Sequence, residues 1–370
     1  MSEQNNIRVI ISGGGTGGHI FPAISIADAL KENDANIEIL FVGANNRMEM
    51  ERVPAAGYKI IGLPISGFQR RLTFKNLSFF FKLIRSLQKS SSVLKDFKPH
   101  VAVGVGGYAS GALLYMATKR NIPTLIQEQN SYPGITNKLL KNKVRKICVA
   151  YQGMERFFPK EKIILTGNPV RQDILNLKDK KDEALTYFGI ESNRKILLIL
   201  GGSLGSRTIN QSVIKSLEKL SSENIEVIWQ TGKFYIDEAR QSLKENPATN
   251  IHASDFIGRM DLAYAAADVI ISRAGAGTIS ELSLTGRACI LVPSPNVAED
   301  HQTKNAMALV DRGAAILVKD IDSENDLIDK ALHLFGNEKK QQDLSANIKK
   351  MALKDSAKII ANEVIKLVGK

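Results

Sequence analysis

The chain has 370 residues, with a hydrophobic fraction of 44% and a charged fraction of 24%, which exclude wholesale disorder and predict two domains. Residues 1–170 contain 23 Lys and Arg against 11 Asp and Glu, a net charge of +12, whereas residues 171–370 contain 27 of each sign. The positive half therefore predicts an anionic partner, which is a nucleic acid, a membrane or a charged substrate.

Short β-branched runs alternate with helical patterns through the first half of the chain. Helical patterns such as residues 20–32 and 109–120 separate several of these runs. The predicted strands are residues 8–12, 37–42, 59–63, 101–105, 124–126, 146–149 and 163–165. This alternation is typical of a parallel sheet that helices cover on both faces.

The sequence predicts neither a signal peptide nor a transmembrane segment. The first residues are polar and lead directly into a strand, without a basic start and a longer apolar core. Residues 99–118 carry no formal charge and are long enough to cross a bilayer, but four glycines interrupt them. We expect a buried strand, a glycine turn and a helix there. Cys148 and Cys289 lie in apolar runs and are expected to be buried and reduced, as in a reducing compartment.

The second half repeats the plan of the first. Its predicted strands are residues 195–200, 226–230, 251–253, 269–272, 288–292 and 315–318. Its predicted helices are residues 207–219, 235–244, 260–266, 277–285, 301–312 and 324–336, with a last helix at 355–368. A Gly/Pro turn at residues 166–171 suits a hinge. We therefore expect an α/β protein of two Rossmann-like, doubly wound parallel-sheet domains, residues 1–166 and 167–354, facing one another across a cleft.

Three glycine-rich turns follow predicted strands, at residues 12–19, 104–108 and 201–207. Glycine lets the backbone approach a ligand closely, and free N–H groups at a helix start attract an anion. The alternatives for the first turn are a dinucleotide site or a simple tight turn. Against NAD, the spacing is not a clean G-x-G-x-x-G, and residues 43–47 after the second strand contain no acid. None of the turns matches the P-loop pattern of kinases and ATPases.

A fourth turn, residues 272–281, follows a strand of the second half and opens a helix. Its small residues and its helix N-terminus suit a diphosphate, and Glu281 is placed to hold two ribose hydroxyls. The alternative for Glu281 is charge complementation of the helix N-terminus, and both interpretations stay open. Polar residues at 299–306 open the next helix, where they can bind sugar hydroxyls, although Asp300 can equally be an ordinary N-cap.

The sequence favours a reaction without a metal or a cofactor. Asp320-Ile321-Asp322 matches the Asp-x-Asp of metal-dependent glycosyltransferases, but it directly precedes a predicted helix. We therefore interpret Asp322 as the N-cap of that helix. No Cys/His cluster in the sequence has the spacing of a zinc site.

Seven motifs in order resemble the MurG family, the N-acetylglucosaminyltransferases of peptidoglycan synthesis in glycosyltransferase family 28, over nearly the whole chain. They lie at residues 14–19, 106–108, 128–130, 167–171, 201–203, 273–281 and 300–306. The resemblance implies the GT-B fold, with a C-terminal helix at about 355–370 that packs back on the first domain. It also implies transfer of GlcNAc from UDP-GlcNAc to the C4 hydroxyl of MurNAc-pentapeptide-diphosphoundecaprenol (lipid I), which gives lipid II with inversion.

The same resemblance implies where the partners bind. Residues 1–166 are expected to face the acceptor and the membrane, and residues 167–354 to bind UDP-GlcNAc. The protein is expected to be peripheral, on the anionic cytoplasmic face of the inner membrane. The donor-binding residues implied by the motifs are Thr16, Gly17, Gly18, Asn130, Arg171, Ser203, Ile257, Ala276, Gly277, Thr278, Ile279, Ser280, Glu281 and Gln302.

Inversion requires one in-line displacement, in which a base removes the acceptor proton. His19, at the end of the first glycine turn, is the candidate base, and Glu128 is the alternative. Another possibility for His19 is that it only orients the acceptor diphosphate. Helix N-termini, together with Arg171 near the hinge, are expected to stabilise the departing UDP.

Residues 65–98 combine eight Lys and Arg with a single acid and with interleaved phenylalanines. On a helix that begins at residue 76, the stripe of residues 77, 80, 81, 84 and 87 is expected to face the core. A second apolar spot lies away from that stripe and is framed by cations, which suits docking on anionic lipid. The predicted membrane patch consists of Phe79, Leu83, Lys75, Lys82, Arg85 and Lys89. The alternative is a solvated basic face.

Three other interpretations are weighed against this one. A nucleic-acid partner is not expected, because the sequence has no recognition motif and no base-stacking aromatic pattern. Another UDP-sugar enzyme of the same fold, such as a non-hydrolysing epimerase, fits less well with the asymmetric charge and with Glu128-Gln129-Asn130. A non-catalytic nucleotide-sugar-binding membrane protein is the third, since fold alone does not decide function.

Overall fold

The computed structural model describes residues 6–65, 75–170, 172–191, 193–202 and 204–369, without the side chains of residues 75–78, 172 and 298. The chain divides into two compact units, unit 1 (Met1–Val170 and Asp355–Lys370) and unit 2 (Arg171–Lys354). Each unit has its own parallel sheet and its own hydrophobic core. The predicted pair of α/β units, each with a doubly wound parallel sheet, is confirmed.

Unit 1 is built on one seven-stranded sheet. Its strands are β1 (Arg8–Gly13), β2 (Glu38–Ala44), β3 (Lys59–Leu63), β4 (Val101–Gly106), β5 (Thr124–Glu128), β6 (Lys146–Val149) and β7 (Ile163–Leu165). The order across the sheet is β3-β2-β1-β4-β5-β6-β7, and every pairing is parallel. Successive residues of β1 pack into opposite layers, Ile11 into one core and Ile10 into the other, as a sheet covered on both faces requires.

Helices cover both faces of this sheet. They are α1 (Gly17–Asn33), α2 (Glu49–Ala55), α3 (Lys75–Phe97), α4 (Tyr108–Lys119), α5 (Ile135–Leu140) and, from the end of the chain, α15 (Ser356–Val368). α1 and α15 share one core, and α3, α4 and α5 share the other. α15 packs directly on α1, where Asn33 also donates to Asn362 at 3.1 Å. The last helix, α15, therefore supports α1, the helix that follows the first glycine turn.

Unit 2 is built on a six-stranded parallel sheet. Its strands are β8 (Lys195–Leu200), β9 (Ile225–Gln230), β10 (Ile251–Ser254), β11 (Val269–Ser272), β12 (Ala288–Leu291) and β13 (Ile316–Leu317), in the order β10-β9-β8-β11-β12-β13. Its helices are α6 (Lys181–Phe188), α7 (Arg207–Lys215), α8 (Leu217–Ser222), α9 (Ile236–Glu245), α10 (Met260–Ala266), α11 (Ala276–Thr285), α12 (His301–Val310), α13 (Ser323–Phe335) and α14 (Glu338–Lys350).

Some predicted elements differ from the structure. The predicted helix at 207–219 is two helices, α7 and α8, separated at Ser216, and α14 was not predicted. The uncharged stretch at 99–118 forms β4 and α4, as expected. Among the described residues, none of the helices combines the length and the apolar character needed to cross a membrane. Cys148 and Cys289 are buried and free, and burial raises the pKa of the Cys289 thiol to about 12.

The four glycine turns lie where each sheet reverses its strand order. In unit 1 the order changes between β1 and β4, and in unit 2 between β8 and β11. These adjacent strands end in the turns at 12–19 and 104–108, and in those at 201–207 and 272–281. Ligands of open α/β sheets bind in the crevice that such a switch point creates. The topology therefore joins the turns in two pairs, one in each unit.

Candidate active site

The two glycine turns of unit 1 contact each other through the backbone. The register of β1 and β4 places Gly13 opposite Gly106. Gly106 and Gly107 have φ angles of +111° and +91°, a region that side chains rarely adopt. A Cβ on Gly107 would lie only 2.7 Å from the carbonyl oxygen of Gly14. Glycine is therefore required here because of the positive φ angles and because the two turns approach each other closely.

His19 lies on α1 with its ring oriented by this paired backbone. Nδ1 is 3.0 Å from the Gly14 carbonyl oxygen and 3.3 Å from Thr16 Oγ1. A carbonyl oxygen only accepts, so in the neutral imidazole Nδ1 carries the proton and Nε2 carries the lone pair. A Cβ on Gly106 would come within 2.8 Å of Nε2 and Cδ2, so the missing side chain makes room for the ring.

The start of α1 presents its backbone to this region. Thr16 is the N-cap, but its side chain makes no capping hydrogen bond. Thr16 and Gly18 are exposed, and Gly17 is half-buried. The first N–H groups of a helix carry partial positive charge and bind anions, so this helix start suits a phosphate group.

A buried carboxylate that the sequence did not reveal anchors the first turn. Glu49 is fully buried; its Oε2 accepts from the Gly15 N–H at 3.0 Å and its Oε1 from the Ala44 N–H at 2.9 Å. A Cβ on Gly14 would collide with this carboxylate at 2.2 Å. An acid therefore does serve the end of β2, but it holds backbone rather than facing a ribose. The glycines that make room for this carboxylate, such as Gly14, were the feature of the sequence that could have revealed it.

Glu128 organises the loop that carries Asn130. It is 1% exposed, and its oxygens accept N–H groups of the loop that follows it and of α5. Oε1 accepts from the backbone and side-chain nitrogens of Asn130 at 3.0 and 3.2 Å, and Oε2 from Gly134 N at 3.1 Å and Asn137 Nδ2 at 2.8 Å. Burial raises the pKa of this carboxyl, and the four donors oppose that rise. The geometry favours a positioning role over proton transfer.

The motif at the predicted hinge is tied to the sheet of unit 1 by buried amides. Asn168 Oδ1 accepts from Gln127 Nε2 at 2.9 Å, and Asn168 Nδ2 donates to the Gln129 carbonyl at 3.0 Å. Gln129 Nε2 in turn donates to the Val105 carbonyl at 2.7 Å. These bonds connect the ends of β4 and β5 with the segment that leaves unit 1.

In unit 2, α11 begins at Ala276 and follows β11 directly. Glu281 is half-buried, and its Oε2 accepts from the Tyr264 hydroxyl at 2.8 Å. Tyr264 is buried and was not predicted as a site residue. Ile279 is 2% exposed, so its side chain is part of the core rather than of an open surface. Thr278 and Ser280 are half-buried, as are Ala276 and Gly277.

Gln302 joins two loops at the carboxyl edge of the second sheet. Its Oε1 accepts from the Ala274 N–H at 3.2 Å and from the Ser294 N–H at 2.9 Å. Because two donors identify this atom as oxygen, the amide nitrogen is oriented away from both loops and is available as a donor. α12 follows two non-glycine residues with positive φ, Glu299 and Asp300, which marks a strained entry to this helix.

The Asp320-Ile321-Asp322 segment serves the scaffold. Asp320 Oδ1 pairs with Arg273 Nη1 and accepts from the Thr208 hydroxyl at 2.6 Å, and Arg273 Nη1 also donates to the Val292 carbonyl at 3.1 Å. Asp322 is the N-cap residue of α13, as expected, but its side chain makes no capping hydrogen bond. A short 3-10 turn at Asp320–Asp322 leads into the helix instead.

Ile257 is also buried, in a loop that Asp261 clamps. Its N–H donates to Gln230 Oε1 at 3.3 Å. A cavity of about 410 Å³ adjoins it, lined in part by the rings of Tyr187, Phe188 and Phe256. Asp261, one turn further on, is buried and binds Arg259 and Lys180. The Arg259–Asp261 bonds measure 2.9 Å each, and Lys180 Nζ lies 2.8 Å from Oδ2.

Two of the expected donor-binding residues, Arg171 and Ser203, lie outside the described residues. The others lie at the start of α1, on the loops after β5 and β10, on α11 and at the start of α12. Within the ranges that the structure describes, no group of three or more His, Cys, Asp or Glu could hold a metal ion.

The predicted membrane patch is wrong about which face of α3 is exposed. Phe79 and Leu83 are half-buried, whereas Phe80, Phe81 and Ile84, predicted to face the core, are 57%, 64% and 53% exposed. The reason is that α3 approaches the sheet and α4 with a face that includes small serines. This inner face contains Phe79, Leu83, Ser86, Leu87, Ser90, Val93 and Leu94.

The cations of α3 keep part of the predicted arrangement. Lys82 and Arg85 are exposed on α3 next to the three apolar side chains. Lys89 instead donates to the Gly62 carbonyl at 2.8 Å, which ties it to β3. The side chain of Lys75 lies outside the described part of the chain.

The carboxylate clamp at Asp261 yields a stability prediction. Arg259 and Lys180 hold the pKa of Asp261 well below its usual range. Asp261→Asn is expected to lower the free energy of unfolding by about 1–3 kcal/mol at neutral pH, because it weakens bonds to a buried carboxylate. The matched control is Glu183→Gln, which removes an exposed partner of the same Arg259 and should cost less than about 0.5 kcal/mol.

The pH dependence has a defined sign. A carboxyl with a depressed native pKa stabilises the fold above its unfolded pKa of about 4, and this stabilisation is lost as the pH falls further. The difference between the parent protein and Asp261→Asn should therefore shrink in acid. Urea unfolding across this range measures it, and equal losses for both variants would contradict the clamp.

Comparison with known proteins places these features in a family. Two family models match the chain, the glycosyltransferase family 28 N-terminal domain over residues 9–149 and the C-terminal domain over residues 196–360. A relative from Phocaeicola vulgatus is 58% identical over 99% of this chain and 98% of its own length. It is named UDP-N-acetylglucosamine--N-acetylmuramyl-(pentapeptide) pyrophosphoryl-undecaprenol N-acetylglucosamine transferase.

Solved structures agree with this placement. The crystal structure of MurG from Acinetobacter baumannii is 27% identical, with a TM-score of 0.80, over 97% of this chain and 99% of that one. UDP-GlcNAc 2-epimerase from Neisseria meningitidis, 16% identical with a TM-score of 0.65 over 98% of this chain and all of that one, shares the fold alone. By both family models and by its close relatives, the chain belongs to glycosyltransferase family 28.

Proposed function

We propose that the protein transfers GlcNAc from UDP-GlcNAc to the C4 hydroxyl of lipid I, giving lipid II with inversion, in peptidoglycan synthesis. The observation that carries the proposal is the 58% identity, along almost the whole of both chains, with a transferase of that name. Unit 1 would bind the acceptor and unit 2 most of the donor. The likeness to the epimerase is one of fold and does not favour epimerisation.

The donor site is proposed to lie along the carboxyl edge of the second sheet. The N-terminus of α11 would hold the diphosphate, and Glu281, oriented by Tyr264, would accept the ribose hydroxyls. Gln302 has an amide nitrogen that can donate to the sugar, since its oxygen already binds two loops. The aromatic cavity beside Ile257 suits the flat face of a uracil.

Unit 1 would supply further groups that bind the phosphate and the transferred sugar. The first turn of α1, with Thr16, Gly17 and Gly18, presents N–H groups of partial positive charge to a phosphate. Asn130, held by Glu128, would bind the transferred sugar. Charge on the departing UDP would be stabilised by the helix N-termini and by Arg171.

His19 is the better candidate for the general base. Its Nδ1 is committed to the Gly14 carbonyl, so Nε2 is the nitrogen that accepts a proton from the C4 hydroxyl. Glu128 would first have to give up four N–H donors and its burial. The deprotonated hydroxyl would then attack the anomeric carbon as the bond to UDP breaks on the opposite face.

Attachment to the anionic cytoplasmic face of the inner membrane is proposed through α3. Phe80, Phe81 and Ile84 form an exposed apolar group on one side of this helix. Arg85 and Lys82 are exposed beside them, and the half of the chain that contains them carries the whole net charge of +12. Apolar insertion framed by cations is the usual arrangement of a peripheral membrane helix.

The test of the proposed function is transfer of labelled GlcNAc from UDP-GlcNAc to a short-chain lipid I analogue, with excess chelator present. We expect labelled disaccharide product, because the proposed stabilisation of UDP uses backbone N–H groups and Arg171 rather than a metal. Loss of activity on adding chelator would contradict the metal-free mechanism. UDP-GlcNAc binding without product would contradict the transferase itself.

The identity of the base is tested by two substitutions. His19→Ala should lower kcat by about 10²–10⁴-fold while leaving UDP-GlcNAc binding intact. Glu128→Gln should instead raise the KM for UDP-GlcNAc, because it disturbs the hydrogen bonds that position Asn130. A loss below tenfold in His19→Ala, or a larger loss of kcat in Glu128→Gln, would reverse the assignment.

The contact between Gly106 and the His19 ring yields a further prediction. Gly106→Ala should lower kcat at least about tenfold without unfolding the protein, since its Cβ would displace Nε2 from the place that Gly106 leaves open. Gly57→Ala, at a position whose φ is also positive (+85°) and where an added Cβ would meet nothing within 4 Å, is the matched control and should be fully active. Equal activity of the two variants would show that Gly106 does not determine the position of the His19 ring.

A further inference from the structure

α5 exposes an apolar pair that the proposed transfer reaction does not use. Ile135 is 61% exposed and Leu139 is 74% exposed, which makes Leu139 the most exposed of the described large apolar side chains in unit 1. Their spacing of four residues places both on the same side of the helix. Single exposed apolar residues are common, but two of them on the same side of one short helix form an apolar surface that needs an explanation.

The rest of α5 is firmly packed, so this surface is held in place. Asn137 and Leu140, on its inner side, are 3% and 4% exposed. Asn137 Nδ2 donates to Glu128 Oε2 at 2.8 Å. Thr136 packs against α4 so closely that a Cβ on Gly111 would lie 2.9 Å from its methyl group. The apolar pair is thus the outer face of a fixed element.

The chain segment that contains α5 is basic, and the acid that binds this helix, Glu128, is buried on its inner side. Residues 129–154 contain five Lys and Arg and no Asp or Glu. Lys138 lies between the two apolar residues and is placed 4.5 Å from the centre of the Tyr132 ring. Lys143, just beyond the helix, lies 4.5 Å from the Tyr115 ring. Exposed apolar side chains in a basic segment complement an anionic lipid surface.

This surface continues from α3 across α4. The Phe79 ring of α3 meets the Tyr108 ring at the start of α4, with 6.4 Å between their centroids. Tyr108 is 47% exposed, and α4 in turn contacts α5 through Gly111 and Thr136. All three helices belong to the same layer of unit 1. Exposed apolar groups therefore occur at intervals along this layer.

We propose that α5 is a second bilayer contact of unit 1, in which Ile135 and Leu139 enter anionic lipid beside Lys138. The inference rests on the proposed membrane attachment and adds to it a contact separate from α3. Because Glu128 binds both α5 and Asn130, the inserted helix is rigidly connected to the loop proposed to hold the sugar. Two contacts on one rigid layer would also define how unit 1 is oriented on the bilayer.

The first test is binding of the full chain to vesicles of equal parts phosphatidylglycerol and phosphatidylcholine. Ile135→Ser/Leu139→Ser should lower the partition coefficient at least about fivefold, because two apolar side chains no longer leave water. Ile321→Ser/Ile359→Ser is the matched control, since Ile321 belongs to unit 2 and Ile359 lies on α15 in the other layer. The control should bind like the parent, and both variants should transfer GlcNAc to a short-chain acceptor normally.

The second test places a reporter on α5 and does not depend on loss of binding. The chain has one tryptophan, Trp229, which is fully buried in unit 2. Leu139→Trp should show a blue shift on vesicle binding and quenching by brominated acyl chains. Ile321→Trp should show neither. An unchanged Leu139→Trp spectrum on bound vesicles would overturn the proposal even if the serine variant folded poorly.

The outcomes separate this inference from the proposed attachment. If Phe80→Ser/Ile84→Ser loses binding while Ile135→Ser/Leu139→Ser does not, α5 is excluded and attachment through α3 stands. If the parent protein does not bind anionic vesicles at all, both proposals fail. If sedimentation shows that the parent protein is a dimer and that only the α5 variant is a monomer, with vesicle binding unchanged, α5 is a self-association surface instead.

Discussion

The pairing of β1 with β4 is the constraint on which the site of unit 1 depends. It places Gly13 opposite Gly106 and brings the carbonyl of Gly14 against Gly107. That contact orients the carbonyl that accepts from His19, and Gly106 leaves the space that the imidazole occupies. One strand pairing thus determines the tautomer and the place of the candidate base. A parallel sheet achieves this because its strand ends and helix starts share one edge.

Buried carboxylates hold the loops of this protein through hydrogen bonds. Glu49 accepts two backbone N–H groups beneath the first glycine turn, and Glu128 accepts four donors around Asn130. Asp261 joins Arg259, at the end of the loop that contains Ile257, to Lys180 before α6. A buried carboxylate is stable only when donors satisfy it, and satisfying it immobilises the backbone that supplies them. The loops are thereby pre-organised before a ligand binds.

The outward face of unit 1 shows how packing density can outweigh hydrophobicity. α3 turns Ser86 and Ser90 inward and Phe80, Phe81 and Ile84 outward. Small side chains allow α3 and α4 to approach closely, and the bulky ones are left on the exterior among cations. Exposing large apolar groups costs free energy in water unless another surface covers them, which supports the proposed docking of unit 1 on a membrane.

The sequence by itself determined the two parallel α/β units, the glycine turns after β1, β4, β8 and β11, and the family. Strand–helix alternation and glycine spacing are local properties, which a sequence displays directly. Only the tertiary structure decided that Glu49 holds the first glycine turn, that Tyr264 binds Glu281, and which face of α3 is exposed. Each of these depends on a neighbour distant in sequence, because burial and hydrogen bonding are decided by what packs against a side chain and not by its type.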